Sequence, residues 1–331
     1  MIDGMETSGL IPPAVPRFEV NVTPPDLTPW LEGNTGIAGF HSFASTEAGP
    51  HAALIALIHG NELAGAIVLD RLLRAGIRPL RGKLTLGFAN LAAFARFDPD
   101  APTASRFLDE DLNRLWDGSV LDGPRRSIEL DRAREMRPLI DTVDVLLDLH
   151  SMLWPSDPLV LSGATRNGRD LALAIQTPDL VVADLGHVSG RRLIDYHEFT
   201  RQDTRKAASL VEAGQHWEPE AIDVTLASVA GMLRHLGMID THPVLPPRPP
   251  RRAAQRFAEV SMAVTAGTSS FAFVQAFRGG DVLPRSNTLI AMDGTTEIRT
   301  PHDDCLMVMP SLRPGRGHTA VRLARFSALG P

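Results

Sequence analysis

Between Ala52 and Ile58 the chain is apolar at every position, and immediately afterwards its period changes. A strand apolar on both sides must be buried on both faces, which requires a parallel or mixed sheet covered by helices front and back. From Glu62 to Ala75 apolar residues recur at helical spacing, and Gly76 supplies the stop. A strand feeding a helix in this way is the unit of α/β folds. The pattern repeats downstream. Leu84, Leu86 and Phe88 alternate as a second strand, Ser127 to Thr142 reads as an amphipathic helix, and Val143 to Leu149 as the strand after it. Pro158 to Leu161, Leu180 to Ala183 and Ser209 to Val211 are shorter strand candidates. Asp170 to Gln176 is a helix, and Pro219 to Leu236, closed by Gly237, is the clearest helix in the chain.

Prolines mark the boundaries. Pro12, Pro13, Pro16, Pro24, Pro25 and Pro29 make the start of the chain an extended arm or edge strand. Pro243 to Arg252 is stiffened by repeated prolines and reads as a linker. Beyond it Phe257 to Val264, Phe271 to Phe277, Thr288 to Met292, Leu306 to Met309 and Ala320 to Phe326 are short and strand-like, separated by Gly, Pro, Asn or Asp. The expected organisation is an arm plus an α/β domain over residues 1–242, a linker over 243–252, and a small all-β domain over 253–331.

Composition sets other classes aside. With 331 residues, 44% of them hydrophobic and 22% charged, the chain can bury a real core and is neither collagen-like, disordered nor a coiled coil. Its single cysteine, Cys305, cannot close an internal disulfide, which excludes a small secreted scaffold and a cysteine-rich zinc module. A reducing cytoplasm is the expected setting. No apolar run approaches the roughly 20 residues that cross a bilayer, and Met1 to Leu10 lacks the features of a signal peptide. The net charge of -6 and the scattered arginines leave no footprint for nucleic acid.

The sharpest chemical signal is His59-Gly60-Asn61-Glu62, where the first strand ends and its helix begins. Three-residue spacing at a helix start lets an imidazole and a carboxylate converge on one metal ion. Taken alone, the same residues fit a helix capped by Asn61 or Glu62 with His59 packed in the turn. Asp148-Leu149-His150 ends another apolar strand, at the edge where open α/β sheets bind ligands. Strand alternation turns Asp148 and His150 to one side, so Asp148 either orients the histidine or is a satisfied carboxylate in the sheet. His150 as third ligand leaves a fourth position for water, the mark of a catalytic site. Arg106 to Arg114 is a polar loop too long for a mere connection, and its arginines suit carboxylate or oxyanion binding as well as a solvated face. Glu212 precedes Ala213-Gly214 at the end of a short apolar segment, where metal-assisted hydrolysis would need a base.

Taken in order, His59-Gly60-Asn61-Glu62, the run from Arg106 ending Asp111-Leu112-Asn113-Arg114, Asp148-Leu149-His150 and Glu212-Ala213-Gly214 resemble the succinylglutamate desuccinylase and aspartoacylase family, relatives of the zinc carboxypeptidases. The resemblance covers roughly Ala52 to Gly237, and the β-rich tail more weakly. It implies a zinc-carboxypeptidase-like α/β fold, a mixed sheet flanked by helices, with a small C-terminal all-β domain. It implies that His59, Glu62 and His150 bind one Zn2+ per chain and that Glu212 is the general base and acid. Arg106 matches the family arginine that polarises the scissile carbonyl, and Asn113 and Arg114 the pair that holds the substrate carboxylate. The implied substrate is a small carboxylate-bearing N-acyl amino acid.

One departure bears on that substrate. Aspartoacylases use a tyrosine from the C-terminal domain, whereas the single tyrosine here, Tyr196, lies before the linker. Arg191, Arg192, Arg201 and Arg205 fit a solvated loop better than a second anion clamp. His187, His197, His216 and His235 lack ligand spacing, His197 and Glu198 being adjacent and divergent on a strand. Cys305, beside Leu306 and Met307, reads as a buried thiol. The expectation is thus a cytoplasmic zinc amidohydrolase without membrane or nucleic-acid partners, whose β domain narrows the pocket mouth or forms a homo-oligomer interface. A carboxypeptidase acting on peptide C-termini and an inactive metabolite-binding protein on the same scaffold are the alternatives.

Overall fold

The computed structural model describes residues 17–186, 189–248 and 255–327. Pro12, Pro13, Pro16, His187 and the end of the proline-rich stretch lie outside them. The first part of the chain contributes β1 (Phe40–Ala44), β2 (His51–Ala56), β3 (Lys83–Phe88), β4 (Val145–Met152), β5 (Leu159–Leu161), β6 (Leu180–Ala183) and β7 (Ala207–Gln215). Its longer helices are α1 (Leu63–Arg74), α2 (Ile128–Ile140), α3 (Arg166–Ile175) and α4 (Pro219–His235). After the proline-rich stretch come β8 (Arg256–Thr265), β9 (Ala272–Phe273), β10 (Val282–Leu283), β11 (Leu289–Asp293), β12 (Thr296–Arg299), β13 (Cys305–Val308) and β14 (Thr319–Ser327).

Among the described residues the main sheet has eleven strands in the order β1-β3-β2-β4-β7-β5-β6-β8-β14-β13-β10. β3, β2, β4 and β7 run parallel, and their apolar runs are covered on both faces, as the uninterrupted hydrophobicity of the first strand demands. β2 is buried at all six positions, and α1 and α4 pack over one face while α2 covers the other. This is the mixed α/β architecture expected from the alternation of strands and helices. The C-terminal part is all β, as expected, and its strands pair antiparallel with one another, but they continue the main sheet: β8 pairs in parallel with β6, and β14, β13 and β10 follow. β9, β11 and β12 form a separate three-stranded sheet. Ala258, Leu306 and Ala324 share a core with Leu161 and Leu210, while Val264, Phe271, Ile290 and Leu323 make a core of their own.

Several boundaries differ from the sequence pattern for identifiable reasons. α3 starts four residues before Asp170 because Thr165 caps it, its hydroxyl accepting from Gly168 N at 3.1 Å. β7 continues past Val211 through Glu212 to Gln215, because its neighbours β4 and β5 supply a ladder on both sides. β1 is an edge strand paired with β3 alone, and its mixed sequence carried no alternation signal. Only Ala272–Phe273 of the stretch Phe271 to Phe277 is strand. His197 and Glu198 sit on the short helix His197–Thr200, with Nε2 and Oε1 3.2 Å apart, and do not diverge on a strand.

A buried ion cluster ties the two parts together. Asp184, at the end of β6, accepts from Arg192 Nη1 at 3.0 Å and Nη2 at 2.6 Å, and its Oδ2 lies 3.2 Å from Arg322 Nε on β14. Arg192 is therefore no solvated loop residue: it is 3% exposed, and Asp195 engages its remaining donors. Removing Asp184 takes the ion-pair partner from buried Arg322 and leaves Arg192 with Asp195 alone, so Asp184→Ala is expected to cost about 3–5 kcal/mol in urea unfolding. A loss under about 1 kcal/mol would show that the arginines find other counter-charges.

Candidate active site

The chain leaves β2 through Leu57, which is fully buried and held at φ 59, a left-handed backbone that a leucine adopts only under constraint. This turn delivers His59 to the C-terminal edge of the sheet. Gly60 then passes so close to the neighbouring loop that a Cβ would lie 2.5 Å from the Ala93 carbonyl carbon and 2.6 Å from Ser105 O, which explains the glycine. Glu62 occupies the N-cap position of α1 but makes no side-chain cap bond. Its carboxylate turns inward instead. Oε1 lies 2.7 Å from His59 Nδ1 and Oε2 3.0 Å from His150 Nδ1, and Oε2 also accepts from Ser151 N at 3.0 Å. All three side chains are buried, and ligand atoms from His59, Glu62 and His150 lie within 4.8 Å of one another.

The outer ring nitrogens are held as well. His59 Nε2 lies 2.9 Å from Asp111 Oδ1, and His150 Nε2 lies 2.9 Å from Asp148 Oδ2. Each imidazole thus has one nitrogen 2.9 Å from a carboxylate oxygen and the other turned toward Glu62, the arrangement in which histidine ligates a metal ion. Two imidazoles and a carboxylate form the N/O donor set that zinc favours, and the residues present fit such an ion. Burial works to raise the Glu62 carboxyl, but His59 and His150 outweigh it and hold it well below the ordinary carboxylate range. Burial likewise opposes a charged His150, yet Asp148 and Glu62 keep its pKa well above that of a free imidazole. The same balance depresses Asp111, where His59 and then Arg106 and Arg114 overcome burial.

The loop from Arg106 to Arg114 is fixed by Glu129 on α2, whose fully buried carboxylate accepts from the backbone N–H groups of Leu108, Asp109 and Glu110. Arg106 is thereby placed against the cluster, with Nη1 3.1 Å from Glu62 Oε1 and Nη2 2.9 Å from His59 Nε2, and it stays about a third exposed. Asn113 spends its Oδ1 on Leu193 N at 2.8 Å and keeps Nδ2 3.5 Å from His150 Nε2. Arg114 donates to Asn113 O at 2.6 Å and lies 3.8 Å from Asp111. Burial lowers its pKa to about 10, so it is charged at neutral pH.

Glu212 stands opposite His150 in the β4–β7 ladder. It is 6% exposed, and Oε2 is buried without a hydrogen-bond partner. Burial, followed by the charge of Glu62, raises its pKa to about 8. A cleft of about 560 Å³ brings His59, Glu62, His150, Glu212, Arg106, Asn113 and Arg114 onto one surface. Met309, Ser311 and His318 from the loop between β13 and β14, and Arg322 on β14, line it too. Tyr196 does not: it is fully buried, with its hydroxyl between Asp141 and Arg137. Asp111, Glu129, Ser151 and His216 belong to the site's framework and were not singled out by spacing, because their partners are remote in sequence.

Residues 48–236 match the succinylglutamate desuccinylase/aspartoacylase catalytic domain. Compared with curated proteins, the chain has no significant match. Among solved structures it resembles succinylglutamate desuccinylase from Vibrio cholerae, at 20% identity and a TM-score of 0.63 over 85% of this chain and 82% of that one. The enzyme of the same name from Chromobacterium violaceum aligns at 18% identity and a TM-score of 0.62, over 89% and 90% of the two chains. The ectoine utilization protein EutE (DoeB) from Ruegeria pomeroyi aligns at 16% identity and a TM-score of 0.59, over 86% and 88%. At such identities the structural likeness is one of fold, and the domain match over more than half of the sequence carries the assignment. The chain belongs to the succinylglutamate desuccinylase/aspartoacylase family of hydrolytic deacylases.

Proposed function

We propose that the protein is a zinc-dependent amidohydrolase, with one zinc per chain, that removes the acyl group from a small N-acyl amino acid of the succinylglutamate or acetylaspartate type. The observation that carries this reading is the convergence of His59, Glu62 and His150 beside Glu212 in a single cleft. Zinc held by those three groups would lower the pKa of water toward about 7 and so supply a nucleophile at neutral pH. Glu212 takes up the proton released as the nucleophile attacks the acyl carbon and returns it to the leaving amine nitrogen. Its raised pKa suits the second half of that task, and the part due to Glu62 falls when the neighbouring charge is neutralised. Arg106 stabilises the oxyanion that forms on the former carbonyl. Asn113 and Arg114 hold the substrate carboxylate, Arg114 through its planar fork. The lone thiol Cys305, free and buried, suits a reducing cytoplasm.

The test is a substrate panel run after metal analysis. N-acetyl and N-succinyl amino acids should release the free amino acid, whereas short peptides should remain intact. Release of C-terminal residues from peptides would favour a carboxypeptidase, and tight zinc-independent binding without turnover a metabolite-binding protein. Arg106→Ala should lower turnover about 10²–10³-fold with KM changed much less, because the oxyanion exists only on the reaction path. Equal turnover in a variant that keeps its zinc would remove Arg106 from the mechanism.

A further inference from the structure

The end of β7 does more than carry Glu212. Past His150 the β4–β7 pairing slips, so that Met152 stands opposite Gln215. Gly214, within this bulge, has φ 115, a backbone open to glycine and strained for other residues. The bulge turns the chain so that His216 donates its backbone N–H to Met152 O at 2.9 Å. Its ring then meets Ser151, with Nδ1 2.8 Å from Ser151 Oγ and both residues buried. Ser151 in turn is the residue whose backbone N–H grips Glu62 Oε2 at 3.0 Å. From the other side Trp217 Nε1 donates to the carbonyl of Asn61, directly before Glu62, at 3.1 Å. Two consecutive residues beyond Glu212 therefore brace the loop that carries the acidic ligand.

We propose that His216, acting through Ser151, is a positioning residue that sets the Glu62 carboxylate for metal binding, so that the strand carrying Glu212 also governs zinc affinity. This rests on the zinc reading above. A glutamate side chain has three rotatable bonds, and a fixed N–H on one oxygen selects the rotamer that presents the carboxylate to the two imidazoles. Without the imidazole, Ser151 Oγ is buried with no partner, and of the two bonds from His216 to the end of β4 only the backbone one to Met152 O is left. Because the contact is made at Nδ1, asparagine reproduces it: its amide group reaches the position of Nδ1, and a leucine of similar bulk offers nothing there.

The experiment measures zinc affinity of the metal-stripped full-length chain by competition with a chromogenic chelator, for wild type, H216L, H216N and S151A. Circular dichroism and thermal melts of the metal-free forms report folding. H216L and S151A should weaken zinc binding by about tenfold or more, and H216N should return to within about threefold of wild type. Unchanged affinity in a folded H216L overturns the proposal, as does a weakened H216L that H216N does not restore, since ring packing would then explain the loss. Should H216L not fold, S151A decides, because it deletes only a hydroxyl: wild-type affinity there overturns the proposal. A wild type that takes up no zinc overturns the functional reading itself. Zinc binding that is equal in wild type and variants overturns only the role given to His216.

Discussion

Glu212→Gln lowers turnover of N-acyl amino acids by about 10²–10⁴-fold while zinc binding persists. The substitution keeps the shape of the side chain and removes its ability to accept and return a proton. None of the three candidate ligands is touched, since Glu212 makes no hydrogen bond to His59, Glu62 or His150 and its Oε2 is unpartnered. A buried carboxyl with its pKa raised to about 8 and one oxygen unpartnered is costly to keep, and such a cost is retained where the group has chemistry to perform. The check is steady-state kinetics on a preparation with measured metal content. Turnover within threefold of wild type, with zinc in place, would mean that the proton is handled elsewhere.

The second large effect concerns Glu62. Its carboxylate gathers His59 Nδ1, His150 Nδ1, Ser151 N and Arg106 Nη1 around one point. Glu62→Ala removes one of three protein ligands and leaves Arg106 and two imidazoles without their shared counter-charge. Zinc should then fail to bind at micromolar concentration and turnover should fall to background. The same loss should follow when wild type is stripped with a chelator, and readdition of zinc should restore activity to the wild type alone. Metal content by elemental analysis, paired with turnover, checks both halves. Activity that survives stripping would refute metal dependence.

How much of this was legible in the sequence depended on distance along the chain. His59 and Glu62 are three residues apart at a strand-to-helix junction, a spacing that allows convergence on one ion but fits a plain helix cap as well until His150 and Glu212 are set beside it. Asp148 and His150 follow from strand alternation. Glu212 looked like the end of a strand, because a carboxylate rarely sits inside a central one; it does so here because the ladder continues on both sides and the cleft takes its side chain. The anchor on His59 is Asp111, 52 residues away, and the Glu129 cradle that fixes the Arg106 loop reaches across up to 21 residues. Neither leaves a local pattern. Arg192 was read as solvated because charged loops usually are, whereas Asp184 and Asp195 make its burial affordable. The C-terminal strands show in the sequence as short strand-like runs between turn residues, but such runs carry no information about which sheet they join.

The central claim is that His59, Glu62 and His150 hold one zinc ion beside Glu212. Anomalous diffraction at the zinc edge, on crystals of the metal-loaded protein, tests it most directly. The account predicts one strong peak per chain, about 2.0–2.2 Å from one atom each of His59, Glu62 and His150. A peak coordinated by other residues, or none in protein loaded with zinc at full occupancy, would contradict it.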